Sequence, residues 1–255
     1  MILVLLCCAA FIGGVLNTIA GGGSFLTMPA LMFAGVPAVT ANATGTVALL
    51  PGYVTGALSL RGDTSADPEL LPLRELVCLA GIGGAIGAFL LTQTNDNLLR
   101  AVVPWMMLAA TMLFIVGPIW ITRRVAARAN DADASADQSR WGIRAGLFTA
   151  SLYGGYFNGG MGILLLALFT MTSRQSLNAM NRTKNWASAV LTLIATAVYM
   201  AGDAIAWAYA APMMLAGAAG GWAGGRLARI VPAKQVRYYV IVIGLSMTAA
   251  LFWKG

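Results

Sequence analysis

The chain has 255 residues, of which 59% are apolar and only 10% charged, with a formal net charge of +7. A soluble domain carries roughly 25% charged residues, so the polar groups here are too few to cover a globule in water. The composition excludes an ordinary soluble protein and calls for an integral membrane one.

The basic excess lies between apolar segments, where it orients a chain in the bilayer. It gives no reason to expect a nucleic-acid partner; the expected partner is the lipid bilayer, and a homo-oligomer is compatible with the pattern. There is no histidine, which removes His-based zinc sites, Ser-His triads and imidazole proton relays. Cys7, Cys8 and Cys78 lie in apolar stretches with no CxxC pair or ligand spacing, so they read as small buried hydrophobes. No metal or cofactor is expected.

Taken in chain order, apolar runs fall near 2–19, 24–35, 42–60, 71–92 and 101–121 in the first half. In the second half they fall near 144–157, 161–172, 185–201, 206–225 and 237–253. No basic residue precedes the first run, which continues directly into a glycine motif, so it reads as a span and not as a signal peptide. Most runs approach the roughly 20 residues needed to cross the hydrocarbon. The second run of each half is shorter, and each follows a glycine cluster: Gly21, Gly22 and Gly23 in one half, Gly159 and Gly160 in the other. The stretch from Thr122 to Arg144 is polar and rich in Asp, Arg and Ala, and reads as a flexible connection. The fourth runs carry Gly83 and Gly87, and Gly217, Gly221 and Gly225, at four-residue spacing that lets helix backbones approach.

The halves share a pattern. Gly21, Gly23, Asn42 and Thr44 match Gly160, Gly162, Asn181 and Thr183, all at a shift of 139 residues. Short, glycine-interrupted segments at corresponding places in two halves are the best sequence pointer to a transporter's binding site.

Charge placement tests the count of crossings. With ten, 14 of the 16 Lys and Arg residues fall on one side: Arg61, Arg74, Arg123, Arg124, Arg128, Arg140, Arg144, Arg174, Arg182, Lys184, Arg226, Arg229, Lys234 and Arg237. Only Arg100 and Lys254 fall opposite. The positive-inside rule favours this arrangement, which places both termini outside the cytoplasm. An odd number of crossings per half inverts one half relative to the other. The predicted fold is therefore an all-α polytopic transmembrane protein. It consists of a first repeat over 1–121, a cytoplasmic linker over 122–143 and a second, inverted repeat over 144–255.

Candidate substrate-binding residues cluster at the two glycine breaks and just after them. The first set is Asn17, Thr18, Gly21, Gly22, Gly23 and Ser24, then Asn42, Thr44 and Thr46. The second is Asn158, Gly159, Gly160 and Gly162, then Asn181, Arg182, Thr183, Lys184 and Asn185. A break leaves backbone N–H groups without helical partners, which hydrocarbon tolerates only against protein, water or ligand. The helix that follows points its positive dipole end at the gap, which suits an anion, and Asn and Thr add donors. Helix caps and turns account for the same residue types. Arg182 and Lys184 admit two readings, as interfacial charges that snorkel or as ligands at the cytoplasmic mouth. Tyr153, Tyr156 and Trp186 read as packing or interface-belt aromatics. All nine acidic residues fall in or beside loops, so no carboxylate relay crosses the membrane.

The run Gly21-Gly22-Gly23-Ser24-Phe25-Leu26-Thr27-Met28-Pro29, followed by Gly35-Val36-Pro37 and Ala41-Asn42-Ala43-Thr44, resembles the first repeat of the sulfite exporter TauE/SafE family. Gly154 to Gly162 and Asn178 to Lys184 resemble its second repeat, although Leu168 stands where the first repeat has Pro29. The resemblance implies an inner-membrane carrier of sulfite, thiosulfate, organosulfonates or related carboxylic anions, with the two glycine turns lining the pathway. The expected function is transport of a small anion across the plasma membrane by alternating access, with export favoured. A passive anion channel of the same fold and, more remotely, an intramembrane enzyme are the alternatives; an enzyme lacks His, paired intramembrane carboxylates or a Ser with a base.

Overall fold

Backbone polar groups in hydrocarbon must be satisfied within the chain, and every regular element among the described residues is a helix. The computed structural model describes residues 1–60, 72–128, 136–172, 177–231 and 233–254, with side chains described for all but 73, 118–128, 136–140, 171–172, 177, 233 and 254. Of the expected cytoplasmic loop from Arg61 to Glu75, residues 61–71 lie outside the described residues, as does Arg174. The ten helices are α1 (Ile2–Ile19), α2 (Ser24–Phe33), α3 (Ala38–Ser59), α4 (Leu73–Thr92), α5 (Asp96–Arg128), α6 (Ala136–Tyr156), α7 (Met161–Thr172), α8 (Leu177–Ala201), α9 (Trp207–Leu227) and α10 (Ala233–Lys254).

Several ends differ from the apolar runs. The polar connection expected over 122–143 is helical to Arg128 and again from Ala136, because Ala and Arg are strong helix formers whatever their polarity. Both α3 and α8 start earlier than expected, α3 directly after Pro37 at its N-cap. Counting apolar residues stops at Asn and Thr, whereas a helix facing protein continues through them.

Among the described residues four helices hold stretches long and apolar enough to cross a membrane: Ile2–Ile19, Arg74–Thr92, Asp96–Gly117 and Lys234–Trp253. With 10 and 12 residues, α2 and α7 rise only about 15 and 18 Å, against a hydrocarbon core of about 30 Å. The 22, 25 and 21 residues of α3, α8 and α9 are long enough, but Asn, Thr, Ser and Gly dilute their hydropathy. Of these three α3 is the most enclosed, while α8 and α9 pack on protein along one side and expose Leu193, Leu215 and Trp222 on the other.

The packing pairs elements that are distant in sequence. Helix α9 lies against α1 and α3, while α4 lies against α6 and α8. Its glycines explain the closeness of the first contact: a Cβ on Gly217 would sit 2.5 Å from the Ala48 carbonyl oxygen, and one on Gly14 would sit 2.5 Å from that of Gly217. On α4, Gly83 meets Phe148 and Ser151, and Gly87 meets Leu152 and Gly155. Helices α3 and α8 join the two groups, and α5 and α10 pair outside them. Phe25 of α2 packs on Phe114 of α5 with ring centroids 5.7 Å apart.

Candidate substrate site

The two breaks meet. Residues 20–23 connect α1 to α2 and residues 157–160 connect α6 to α7. Gly21 has φ +89° and Gly160 φ +80°, a left-handed conformation that side chains disfavour. A Cβ on Gly21 would come within 2.5 Å of the Gly162 Cα, so the first break lies backbone to backbone on the start of α7. Asn158 is also left-handed, with φ 55°, and Asn tolerates this better than most residues.

Beside this crossing lies Lys184. It is fully buried, and its Nζ donates to the carbonyl oxygens of Asn17, at 2.8 Å, and Thr18, at 3.2 Å. Those carbonyls close the C-terminal end of α1, where the helix dipole favours a cation. No carboxylate pairs with Lys184 among the described residues. Of the two readings of this residue, snorkelling is ruled out by its burial. Arg182 stays half-buried and is the outward one of the pair.

Around the ammonium the walls are polar. The Tyr53 hydroxyl donates to Asn158 Oδ1 at 3.1 Å and faces the side chains of Asn17 and Thr192. Thr18 and Asn185 lie against Gly56, where a Cβ would meet the Asn185 amide at 3.2 Å. Asn185, Ser188 and Thr192 are completely enclosed. Tyr153 supports the second break by donating to the Gly159 carbonyl at 2.7 Å.

Asn17, Asn158 and Lys184 thus converge, with Thr18 and Asn185 beside them. Other residues singled out in the sequence are engaged elsewhere. Asn42 Nδ2 donates to the Tyr156 carbonyl at 2.7 Å, capping α6, and Thr44 Oγ1 accepts the Ala206 amide at 3.0 Å, at the start of α9. Thr183 donates to Ala179 on its own helix. The Gly21 amide donates to Leu16 and that of Gly159 to Phe157, so these two are not bare amides. Gly22 faces Val240 and Phe114, and Gly23 lies against Gly13; Ser24 is buried at the start of α2 and Asn181 at that of α8.

The sulfite exporter TauE/SafE family matches residues 6–251, nearly the whole chain. The chain belongs to that family. Among the relatives of this TauE/SafE protein, a "Probable membrane transporter protein ORF9" of Sinorhizobium sp is 27% identical over 254 residues, covering 95% of this chain and 89% of the relative. A "Probable membrane transporter protein" of Haemophilus influenzae is 24% identical over 261 residues, covering 99% and 95%. The "Probable membrane transporter protein YfcA" of Escherichia coli K12 is 22% identical over 249 residues, covering 96% and 87%. No solved structure matches the chain. The TauE/SafE protein is therefore a multi-pass plasma-membrane protein of a transporter family. Tyr53, Ser188 and Thr192 escaped the sequence reading. The spacing of Asn181, Asn185, Ser188 and Thr192, one polar residue per helical turn, is the signal that marks them.

Proposed function

We propose that the protein carries a small anion across the plasma membrane by alternating access, with its binding site where the two glycine breaks cross. Sulfite, thiosulfate and organosulfonates are the candidate substrates, in keeping with the family. One observation carries this reading. An ammonium group buried without a carboxylate is costly, and among the described residues this one rests only on two helix-terminal carbonyls. An anion arriving beside Lys184 would complete its coordination, with amide donors from Asn158 and Asn185 around it and the Tyr53 hydroxyl turning to it from Asn158.

The packing supports two inverted repeats, 1–121 and 144–255. The fourth helix of each half lies against the first and third helices of the other, α4 on α6 and α8, α9 on α1 and α3. A rocking motion of one such group against the other, around a fixed site, is the usual mode of repeat-built carriers. Export is favoured energetically. An anion leaving a negative interior gains about 2.3 kcal/mol per charge for each 100 mV, and every acidic side chain described stands at or near a helix end, which offers no proton relay. The enclosure of the polar residues favours a carrier over an open channel.

The test is counterflow in proteoliposomes loaded with sulfite, thiosulfate, methanesulfonate or 2-hydroxyethanesulfonate, using the labelled anion outside. Saturable exchange of at least one is expected. Conductance that rises linearly with anion concentration would make the protein a channel, and no flux of any anion would refute the assignment.

A further inference from the structure

Polar atoms without a hydrogen-bond partner are concentrated in one place. Among the described residues nine buried side-chain N and O atoms lack one, and seven of these sit on α3 and α8, which pack together. On α8 they belong to Asn181, Asn185, Ser188 and Thr192. Steps of four, three and four residues keep these side chains on one helix face. At 1.5 Å per residue the stripe is about 16 Å long, roughly half of the hydrocarbon thickness. On α3 the remaining two atoms are Asn42 Oδ1 and Thr46 Oγ1, and Tyr53 continues the same face two turns further on.

The ordinary fate of a hydroxyl in an apolar helix is a bond to the carbonyl four residues back. Thr111, Thr149, Thr170, Thr196 and Thr248 all adopt it. Thr46, Ser188 and Thr192 do not. Their hydroxyls are enclosed and unpaired; Ser188 and Thr192 stand four and eight residues beyond Lys184, on its side of α8, and Thr192 faces the Tyr53 hydroxyl that bonds Asn158. A structural packing face would be apolar at these positions or paired within itself.

We propose that this stripe is the wall of the anion's passage: Asn185, Ser188 and Thr192 of α8, with Tyr53 of α3, bind a small, singly charged oxyanion as it passes Lys184. The inference rests on the carrier reading above and names the contacts and the charge of its substrate. Hydroxyls and primary amides serve an oxyanion as donors whichever way an amide is turned. The charge follows from the count of cations. Lys184 is the one fully buried cation among the described residues, and a doubly charged guest, thiosulfate among the candidates above, would leave a negative charge unmatched in a low-dielectric interior. The substrate thereby narrows to singly charged sulfonates and hydrogensulfite.

The probe can itself be a small anion. Cys7, Cys8 and Cys78 are replaced by serine, and single cysteines are placed at Asn185, Ser188 or Thr192. The folded protein, checked by size-exclusion in detergent, is returned to liposomes. There it reacts with a sulfonate-bearing methanethiosulfonate (one negative charge) or with its trimethylammonium counterpart (one positive charge). The control is Leu193→Cys, at a residue 61% exposed on the outer face of α8. Reaction is expected at two or more of the stripe positions, about tenfold or more faster with the anionic reagent, and near parity of the two reagents once Lys184→Met is added. Reaction at none of the three, equal rates for the two reagents, or equal reaction at Leu193→Cys would overturn the proposal. Counterflow by the unmodified protein is measured separately, so a passage located elsewhere is distinguished from a protein that carries no anion.

Discussion

Lys184→Met separates a structural from a functional role for the buried ammonium. Met keeps most of the side-chain length and removes the charge. The folded state loses two charge-assisted hydrogen bonds, to Asn17 and Thr18, each worth about 1.5–3 kcal/mol. It also escapes the cost of holding an ion out of water, several kcal/mol. The two changes oppose one another, so net stability should shift by no more than about 2 kcal/mol, roughly 4–8 °C in melting temperature for a chain of this size. Substrate binding has no such compensation. Removing the charged partner of an enclosed anion costs about 2–5 kcal/mol, which is a loss of about 30-fold or more in affinity. The assays are thermal unfolding in detergent and concentration-dependent counterflow in proteoliposomes. A variant that transports with unchanged affinity would refute the placement of the site at Lys184. One that fails to fold would make Lys184 a staple for the end of α1.

Gly21→Ala should destabilise the protein by about 2–4 kcal/mol, from a left-handed backbone and a Cβ pressed on the Gly162 backbone; an unchanged melting temperature would count against the crossing of the breaks. Tyr53→Phe, which loses the bond to Asn158, should cost about 1 kcal/mol of stability and weaken anion affinity severalfold in counterflow. Glu75→Gln breaks the ion pair with Arg144, whose side chains are each 34% exposed; at such a position it should change stability by at most about 1 kcal/mol and leave flux unaltered. Single cysteines at 128 and 203 should label from opposite sides of the membrane, and labelling from the same side would sink the ten-crossing topology.

How much of this was legible beforehand depends on the kind of interaction. The breaks at 20–23 and 157–160 could be placed to within a residue or two, because glycine clusters between short apolar runs act through local backbone preference. The glycines of α4 and α9 likewise announced close packing through their spacing alone. Asn42 and Thr44 suit ligands and caps alike by their chemistry; they hold the ends of α6 and α9, whose nearness no local pattern reveals. Arg182 and Lys184 show the limit most clearly. Two residues apart on a helix, they point about 200° from one another at 3.6 residues per turn. Which one turns inward depends on where α1 lies.

By itself, then, the chain's composition dictated a membrane protein, since so few charges cannot clothe a globule in water, and its periodicity and glycines dictated helices and where two of them break. Only the tertiary structure decided that α9 joins α1 and α3 while α4 joins α6 and α8, and that a lysine and a stripe of hydroxyls and amides on α8 are buried together. Those outcomes are sums over contacts between residues far apart in sequence, where burial and partner geometry, not local propensity, determine the balance.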